Sequence, residues 1–404
     1  MTVRRKISAL NKEGETSGPL FLESLQPINL LSFGPDTPEI PLRSLNVLIG
    51  PNGSGKSNMI EAVCLLRATA TNLAEVIRKG GGVGEWIWKG ESDGVARVAV
   101  RFALPGQYPA IDHTFAFDAE RQSMRLVDEL IADVDRSGTP DADYYFVRTL
   151  KNGRIRVGNS LRHLTPETYD HNDSILAQRR DPEQFPEITH LAEQYGRIRA
   201  YREWSFGRNT IFRQPQRADM RNDRLEEDFS NLGLFLNRLR RMPEAKNAIL
   251  ARLRDLYEGV DDFDVSVEGG TVQVFFTEGN FVIPATRLSD GTLRYLCLLA
   301  ILCDPTPPPL ICLEEPELGL HPDILPKISD LLIEASQRTQ LIVTTHSDIL
   351  IDALTEQPES VLVCEKHEGQ THLTRLSAGD LSVWLEKYRL GELWTRGELG
   401  GTRW

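Results

Sequence analysis

The chain has 404 residues, 40% hydrophobic and 26% charged, without long low-complexity tracts. That composition excludes wholesale disorder and a fibrous class, and the length leaves room for two or three lobes of roughly 100 to 200 residues. With 46 basic against 58 acidic residues the net charge is −12, which excludes a globally basic nucleic-acid coat, so a DNA role would need a local basic groove.

The first residues, MTVRRKISALNKEGETSG, start basic but carry no apolar segment, and the longest apolar run, YLCLLAILC at 295–303, is far below the about 18 residues of a membrane span. Neither secretion nor membrane spanning is expected. The five cysteines (Cys64, Cys297, Cys303, Cys312, Cys364) are scattered, mostly in apolar context and never in a CxxC pair. They read as reduced core thiols of a cytoplasmic protein.

Residues 44–49, SLNVLI, form an apolar run that stops at Gly50 and reads as a buried parallel strand. From Lys56, the spacing of Ile60, Val63, Cys64 and Leu66 gives one apolar helical face. Between them, GPNGSGKS at 50–57 fits G-x-x-x-x-G-K-[ST]. Glycines in such a loop let successive N–H groups point at phosphate oxygens, the helix N-terminus adds partial positive charge, the lysine reaches the β and γ phosphates, and the serine hydroxyl binds Mg²⁺. Asn52, Gly53, Ser54, Gly55, Lys56, Ser57 and Asn58 are therefore the expected nucleotide contacts, with Ser57 also on the metal. A chance match in a turn is disfavoured by the strand before it and the helix after it.

Residues 95–160 hold short β-like runs (VARVAVRFAL, DHTFAFD, DYYFVRTL) with turn-like gaps, which predicts an antiparallel or edge sheet. Residues 174–257 turn helix-like and rich in arginine and leucine. Within them, residues 195–224 interleave eight arginines with Tyr195, Tyr201, Trp204, Phe206 and Phe212. Arginines among aromatics can follow a phosphate backbone and stack on bases. The same pattern suits a lid or scaffold whose arginines pair with the acids of DRLEEDF, which is the preferred reading over nucleic acid or a protein partner.

The remaining part alternates strand-like and helix-like pieces (VQVFF, LRYLCLLAILC, PLICLEE, PDILPKISDLLIEASQR, LIVTTH, SVLVCEK), the pattern of a parallel sheet built from crossover units. No fixed-period repeat is visible. The expected organisation is an α/β head split between residues 1–160 and 265–404, with a mainly helical, arginine-rich insertion at 161–264.

Three further stretches carry chemistry. In PLICLEEPELGLHP (309–322) a buried run ends in Glu314 and Glu315, where ligands bind in open α/β sheets. One acid can hold Mg²⁺ through water and the other can orient or deprotonate the attacking water; the bland alternative is a solvated acidic turn. In RLSDGTLRYLCLLAIL (287–302) Ser289 or Asp290 reads by default as a helix cap, although a hydroxyl and the Gly291 N–H at a helix start also suit a γ-phosphate. In LIVTTHSDIL (341–350) His346 follows an apolar strand directly. A lone histidine is more often structural, but its place at the end of a neighbouring strand favours function.

As an ordered set these motifs resemble the ATP-binding-cassette type ATPases of the SMC and RecF class, most closely the compact bacterial members similar to the ATPase heads of OLD-family proteins. GPNGSGKS looks like Walker A, LSDGT like the signature motif, LICLEE like Walker B, PELGLHP like the D-loop and TTHS like the histidine switch. The spacings fit, with 26 residues from Ser289 to Glu315 and 31 from there to His346. SILAQRRDP and YREWSFGR are similar to the compact group as well. The head resemblance covers about residues 25–95 and 265–370.

The resemblance implies an α/β P-loop head, with a mixed sheet core and an antiparallel β-subdomain, that sandwiches two ATP molecules in a homodimer. Lys56 and Ser57 would bind nucleotide and Mg²⁺, Ser289 and Gly291 would act across the dimer, Glu315 would activate water, and His346 would sense the γ-phosphate. Three departures stand out: LSDGT lacks the second glycine and the glutamine of LSGGQ, Glu314 replaces the usual Walker B aspartate so that its metal contact is expected to be more indirect, and only Gln107 and Gln178 offer themselves as Q-loop residues.

The 232 residues between Lys56 and Ser289 disfavour a transporter subunit, and the 58 after His346 are too few for an OLD-type nuclease domain. In the tail, Trp384, Trp394 and Trp404 suggest docking onto a partner or onto the protein itself, with core packing the stronger reading. The functional expectation is an ATPase that dimerises on ATP, with higher assembly left open, and controls a protein effector, such as a separately encoded nuclease in antiphage defence. The alternatives are a repair or maintenance ATPase binding DNA directly and a low-turnover nucleotide-dependent scaffold.

Overall fold

The computed structural model describes residues 18–103, 110–134, 144–150, 152–158, 160–165, 168–170, 172–204, 207 and 210–401. Gln107, Phe206, Trp404 and the Phe212 side chain lie outside the described residues. The chain divides into two compact units.

The first unit comprises Pro19–Ile198 and Glu359–Ser377 with the residues from Leu399 onward. Its larger sheet is antiparallel and runs, edge to edge, through Ile40–Pro41, Leu22–Ile28, Ala96–Phe102, Ile111–Glu120, Ser123–Asp133, Tyr144–Thr149, Gly153–Val157 and Ser160–Leu164. Ala96–Phe102 buries every second residue, as a strand does when one sheet face meets the core. The antiparallel sheet predicted for 95–160 is thus present. Helix Pro186–Arg197 opens on a proline, which its first turn tolerates, and buries Ile188, Leu191, Ala192 and Tyr195 along one stripe.

Strand Ser123–Asp133 lacks a legible alternation, because a register shift at Val127 moves the buried phase from Met124 and Leu126 to Glu129 and Ile131, and so places a charge in the core. The fully buried Glu129 carboxylate accepts hydrogen bonds from the Ile175 N–H at 3.1 Å and from the Ser174 hydroxyl, with Arg148 Nη2 at 3.3 Å and His113 Nε2 at 3.7 Å. The other histidine nitrogen, Nδ1, lies 3.1 Å from the hydroxyl of buried Tyr195. Burial opposes the charge of Glu129, yet His113, Arg148 and Ser174 together hold its carboxyl below the usual range.

In the same unit Leu45–Ile49 has all five residues buried and pairs in parallel with Val361–His367, which pairs antiparallel with Gln370–Arg375. Helix Lys56–Thr69 follows the loop after Leu45–Ile49.

The second unit is built from Arg199–Pro358 and Ala378–Glu398. Three parallel strands, Arg199–Tyr201, Leu310–Glu314 and Gln340–Thr344, form its centre, registered Tyr201 to Leu313 and Glu314 to Thr344. Helix Asp290–Leu302 is buried at every residue from Leu293 to Leu302, as befits a helix that is apolar all round apart from Arg294. Leu232–Leu239 and Pro243–Leu256 pack against it. Asp262–Glu268, Thr271–Glu278, Phe281–Pro284 and Gln216–Arg217 make a small antiparallel sheet.

Among the described residues, the stretch predicted as helix-like over 174–257 is α-helical only in Ile175–Gln178, Pro186–Arg197, Leu232–Leu239 and Pro243–Leu256, with a 3-10 turn at Ile211–Arg213. Between them, Arg199–Tyr201 is drawn into the parallel sheet by its ladder to Leu310–Glu314, a tertiary pairing that overrides local propensity. In the tail, helix Ala378–Leu385 buries none of its residues and Trp384 is 44% exposed, while Trp394 is half-buried, so core packing does not account for Trp384. Among the described residues no helix is long and apolar enough to cross a membrane.

Candidate functional site

The strand Leu45–Ile49 ends at Gly50, and the chain turns through glycines that adopt left-handed conformations: φ is 143° at Gly50, 79° at Gly53 and 105° at Gly55. Gly55 is also sterically required, because a Cβ there would collide with the Thr371 and Ser32 side chains. Asn52 and Gly53 are exposed at the loop tip, whereas Ser54, Gly55 and Lys56 are buried. The Lys56 ammonium arches over the loop and donates to Gly50 O at 2.8 Å and Pro51 O at 3.0 Å. Helix Lys56–Thr69 has no acidic residue in its first turn, so nothing there opposes an anion at its N-terminus. The buried Ser54 hydroxyl finds no partner among the described residues.

Residues outside the motif brace this loop. Thr371 Oγ1 donates to Ser54 O at 2.8 Å and lies 2.6 Å from Ser32 Oγ, which also accepts from Asn58 Nδ2 at 2.6 Å. Asn58 thus points in part at the loop's support. Ser32 and Thr371 were not legible as site residues, since each is an ordinary hydroxyl separated from the glycines by a whole segment of chain. Gly-rich conformation, helix dipole and lysine together fit a nucleotide phosphate chain.

The second unit assembles the other predicted residues. Leu310–Leu313 are buried and deliver Glu314 and Glu315 at the strand's end, half-exposed. Glu315 takes a left-handed conformation, φ 47°, and its N–H donates to Thr344 O on the neighbouring strand at 3.0 Å. Non-glycine residues adopt this region rarely, and such strain concentrates at active sites. His346 Nε2 lies 3.4 Å from Glu315 Oε1. Glu314 is bound by Arg202, whose Nε donates to its Oε2 at 2.8 Å, so its carboxylate is already partly occupied.

Glu317, which the sequence reading did not single out, organises the histidine segment: its Oε1 accepts from Thr345 Oγ1 at 2.7 Å and from the His346 N–H at 2.8 Å. Burial raises the Glu317 carboxyl above its usual range against these two hydrogen bonds. Its place two residues past Glu315 in EEPE was the available signal.

Ser289 is the cap of helix Asp290–Leu302, accepting from the Thr292 N–H at 3.1 Å, as its default reading held. Ser289 and Asp290 remain exposed, and a Cβ on Gly291 would come 3.3 Å from Gly319 O in the D-loop-like turn. Gln178 makes its hydrogen bonds to Asp170, Asp173 and Ser174 in a local turn. Among the described residues no group of three or more His, Cys, Asp or Glu converges on a metal position.

The arginines of 195–224 are largely engaged. Arg217 pairs with Asp219, Arg221 with Asp223, and Arg221 and Arg224 both approach Glu226. Arg213 donates to Thr286 O at 2.9 Å and to Asp290 at 2.5 Å, and Arg202 holds Glu314.

The family described as "AAA domain, putative AbiEii toxin, Type IV TA system" matches residues 45–352, more than half of the chain. No curated protein matches the sequence. Among solved structures, the Smc head bound to the C-winged helix domain of ScpA aligns with a TM-score of 0.57 at 15% identity, covering 89% of this chain and 99% of that one. The Smc head domain with an extended coiled coil bound to the C-terminal domain of ScpA, from Pyrococcus furiosus, gives 0.56 at 14% identity, covering 91% and 99%. The Smc head domain with a coiled coil and joint, from Pyrococcus yayanosii, gives 0.52 at 12% identity, again covering 91% and 99%. At these identities the likeness is one of fold, and the fold is that of an SMC-like ATPase head, as the order of the motifs implied.

Proposed function

We propose that this chain, which belongs to the AAA-domain family matched over residues 45–352, binds and hydrolyses ATP and uses nucleotide-dependent dimerisation to control a protein effector. The observation that carries the reading is the seat of Glu315: a carboxylate on strained backbone at a strand end, 3.4 Å from His346, in a chain that also holds a complete phosphate loop.

Asn52 to Asn58 form the phosphate cradle, and Lys56 turns its ammonium from Gly50 O and Pro51 O to the β and γ phosphates. Glu315 accepts a proton from the attacking water as that water's oxygen bonds to the γ phosphorus and the β–γ bridging bond breaks. His346 steadies Glu315 and senses the γ-phosphate. Ser57 and, through water because Arg202 holds its carboxylate, Glu314 are assigned to Mg²⁺, which supplies neutralisation of phosphate charge when bound. Ser289 and Gly291 contact the γ-phosphate bound by a second copy.

The toxin–antitoxin wording of the family description is compatible with a dedicated partner, such as a separately encoded nuclease in antiphage defence. The internal ion pairs of residues 213–226 support a scaffold rather than a nucleic-acid surface for the arginine-rich segment.

The test is solution mass together with ATP hydrolysis for wild type and Glu315→Gln, with and without ATP and Mg²⁺. Loss of the general base should slow turnover about 10²- to 10⁴-fold and accumulate an ATP-bound dimer. A wild type that neither hydrolyses ATP nor changes mass with nucleotide would refute the reading for this chain and favour the scaffold.

A further inference from the structure

The turn carrying Glu314 and Glu315 is held by side chains to which the roles above give no task. Trp204 Nε1 donates to Glu314 O at 2.8 Å, and Arg294 Nη2 donates to Glu315 O at 2.7 Å. The two donors are stacked, with the Arg294 guanidinium carbon 4.5 Å from the Trp204 ring centroid. Two successive main-chain carbonyls are therefore each fixed by one member of a cation–π pair. This clamp sits where the backbone needs one, because Glu315 adopts a left-handed conformation that a side-chain-bearing residue leaves unless its surroundings hold it.

Arg294 is 3% exposed. Burial pushes its guanidinium down to about 10, opposed by the charges of Glu317 and Glu315. A buried cation is tolerated when its donors are used, and Arg294 gives one of its own to the Glu315 carbonyl. Arg294 also stands on the helix capped by Ser289. Arg213, from the same chain segment as Trp204, grips Thr286 O and Asp290 at the start of that helix. Arg202 and Trp204 thus hold the carboxylate turn, and Arg213 holds the start of the signature-like helix.

We propose that Arg294 and Trp204 are positioning residues for ATP hydrolysis, clamping the Glu314 and Glu315 carbonyls so that the Glu315 carboxylate is aimed at its water. The inference rests on Glu315 being the general base. It also gives the Trp204 segment a task in the hydrolytic site in place of base stacking on a nucleic acid.

The experiment measures ATP turnover against ATP concentration and pH, and nucleotide Kd separately, for wild type, Arg294→Met, Arg294→Lys and Trp204→Phe, with Arg217→Ala as a control from the same segment. Thermal melts check folding. Misplacing a catalytic group by about 1 Å can cost about 10²-fold, so Arg294→Met should lose kcat on that order while keeping its Kd. Arg294→Lys, which retains a charged donor, should recover part of the loss; Trp204→Phe, which keeps the stack but lacks the N–H, should fall between; Arg217→Ala should match wild type. Folded variants with wild-type kcat, or a kcat loss accompanied by an equal loss of affinity, would overturn the positioning role while leaving the ATPase reading intact. A wild type that binds ATP without turning it over would sink both. Should Arg294→Met fail to fold, Trp204→Phe decides by the same criteria.

Discussion

His346 Nε2 stands 3.4 Å from Glu315 Oε1, and the two residues follow neighbouring parallel strands whose ends are registered Glu314 to Thr344. The sheet ladder, rather than a local turn, sets this distance. Replacing His346 by alanine should lower kcat about 10²-fold, the scale for losing one group that acts in the transition state, with nucleotide affinity largely kept. Steady-state kinetics beside equilibrium binding of ATP checks this; equal losses in both would assign His346 to ground-state binding.

Thr371 braces the phosphate loop through Ser54 O and Ser32. Thr371→Val keeps the shape but leaves the buried Ser54 carbonyl without this donor, at a cost of about 1 to 3 kcal/mol. Where that cost falls on the loop's binding-competent form, ATP affinity should weaken about 5- to 150-fold, and Thr371→Ser should restore it. Calorimetric titration of the three proteins with ATP is the measurement, and an unchanged affinity for Thr371→Val would show that the loop holds itself.

Burial raises the Glu317 carboxyl in the folded state above its ordinary value of 4.5. The folded protein therefore binds this proton more tightly than the unfolded chain, so stability falls as pH rises from 4.5 through the raised value, and the penalty is complete above it. Glu317→Gln keeps an oxygen to accept from Thr345 and His346 but carries no charge. It should melt higher than wild type at neutral pH, with the difference shrinking as pH falls towards 4.5. A difference independent of pH would mean that the charge of Glu317 is not what burial opposes.

Arg148 and Glu129 are both buried, and Arg148→Met would leave the carboxylate to His113, Ser174 and the Ile175 N–H, without the guanidinium. Breaking a buried pair on one side costs about 3 to 5 kcal/mol. In wild type the depressed Glu129 pKa contributes stability that is present above the ordinary carboxylate value and lost as pH falls through the depressed one. In the variant Glu129 holds its proton more tightly than in wild type, so the deficit should narrow on acidification. Urea unfolding at neutral pH and near pH 4.5 tests both the size and the trend.

The phosphate loop, the strand before it, the helix after it, the paired glutamates, His346 and the capped helix at Ser289 were legible in the sequence because their chemistry is local. A glycine that must adopt positive φ, a lysine at a helix start or an acid after an apolar run announces itself within a few residues. Strand Ser123–Asp133 was not legible, because a register shift breaks its alternation and turns Glu129 into the core, where Arg148, His113 and Ser174 from elsewhere balance it. Nor were the braces of the candidate sites. Ser32 and Thr371 lie 339 residues apart and meet at 2.6 Å, and Trp204 reaches Glu314 across 110 residues. A hydroxyl or an indole N–H carries no sign in the sequence of which distant carbonyl it will satisfy. That choice is made only when parallel strands bring remote segments side by side and each buried polar group must find a partner.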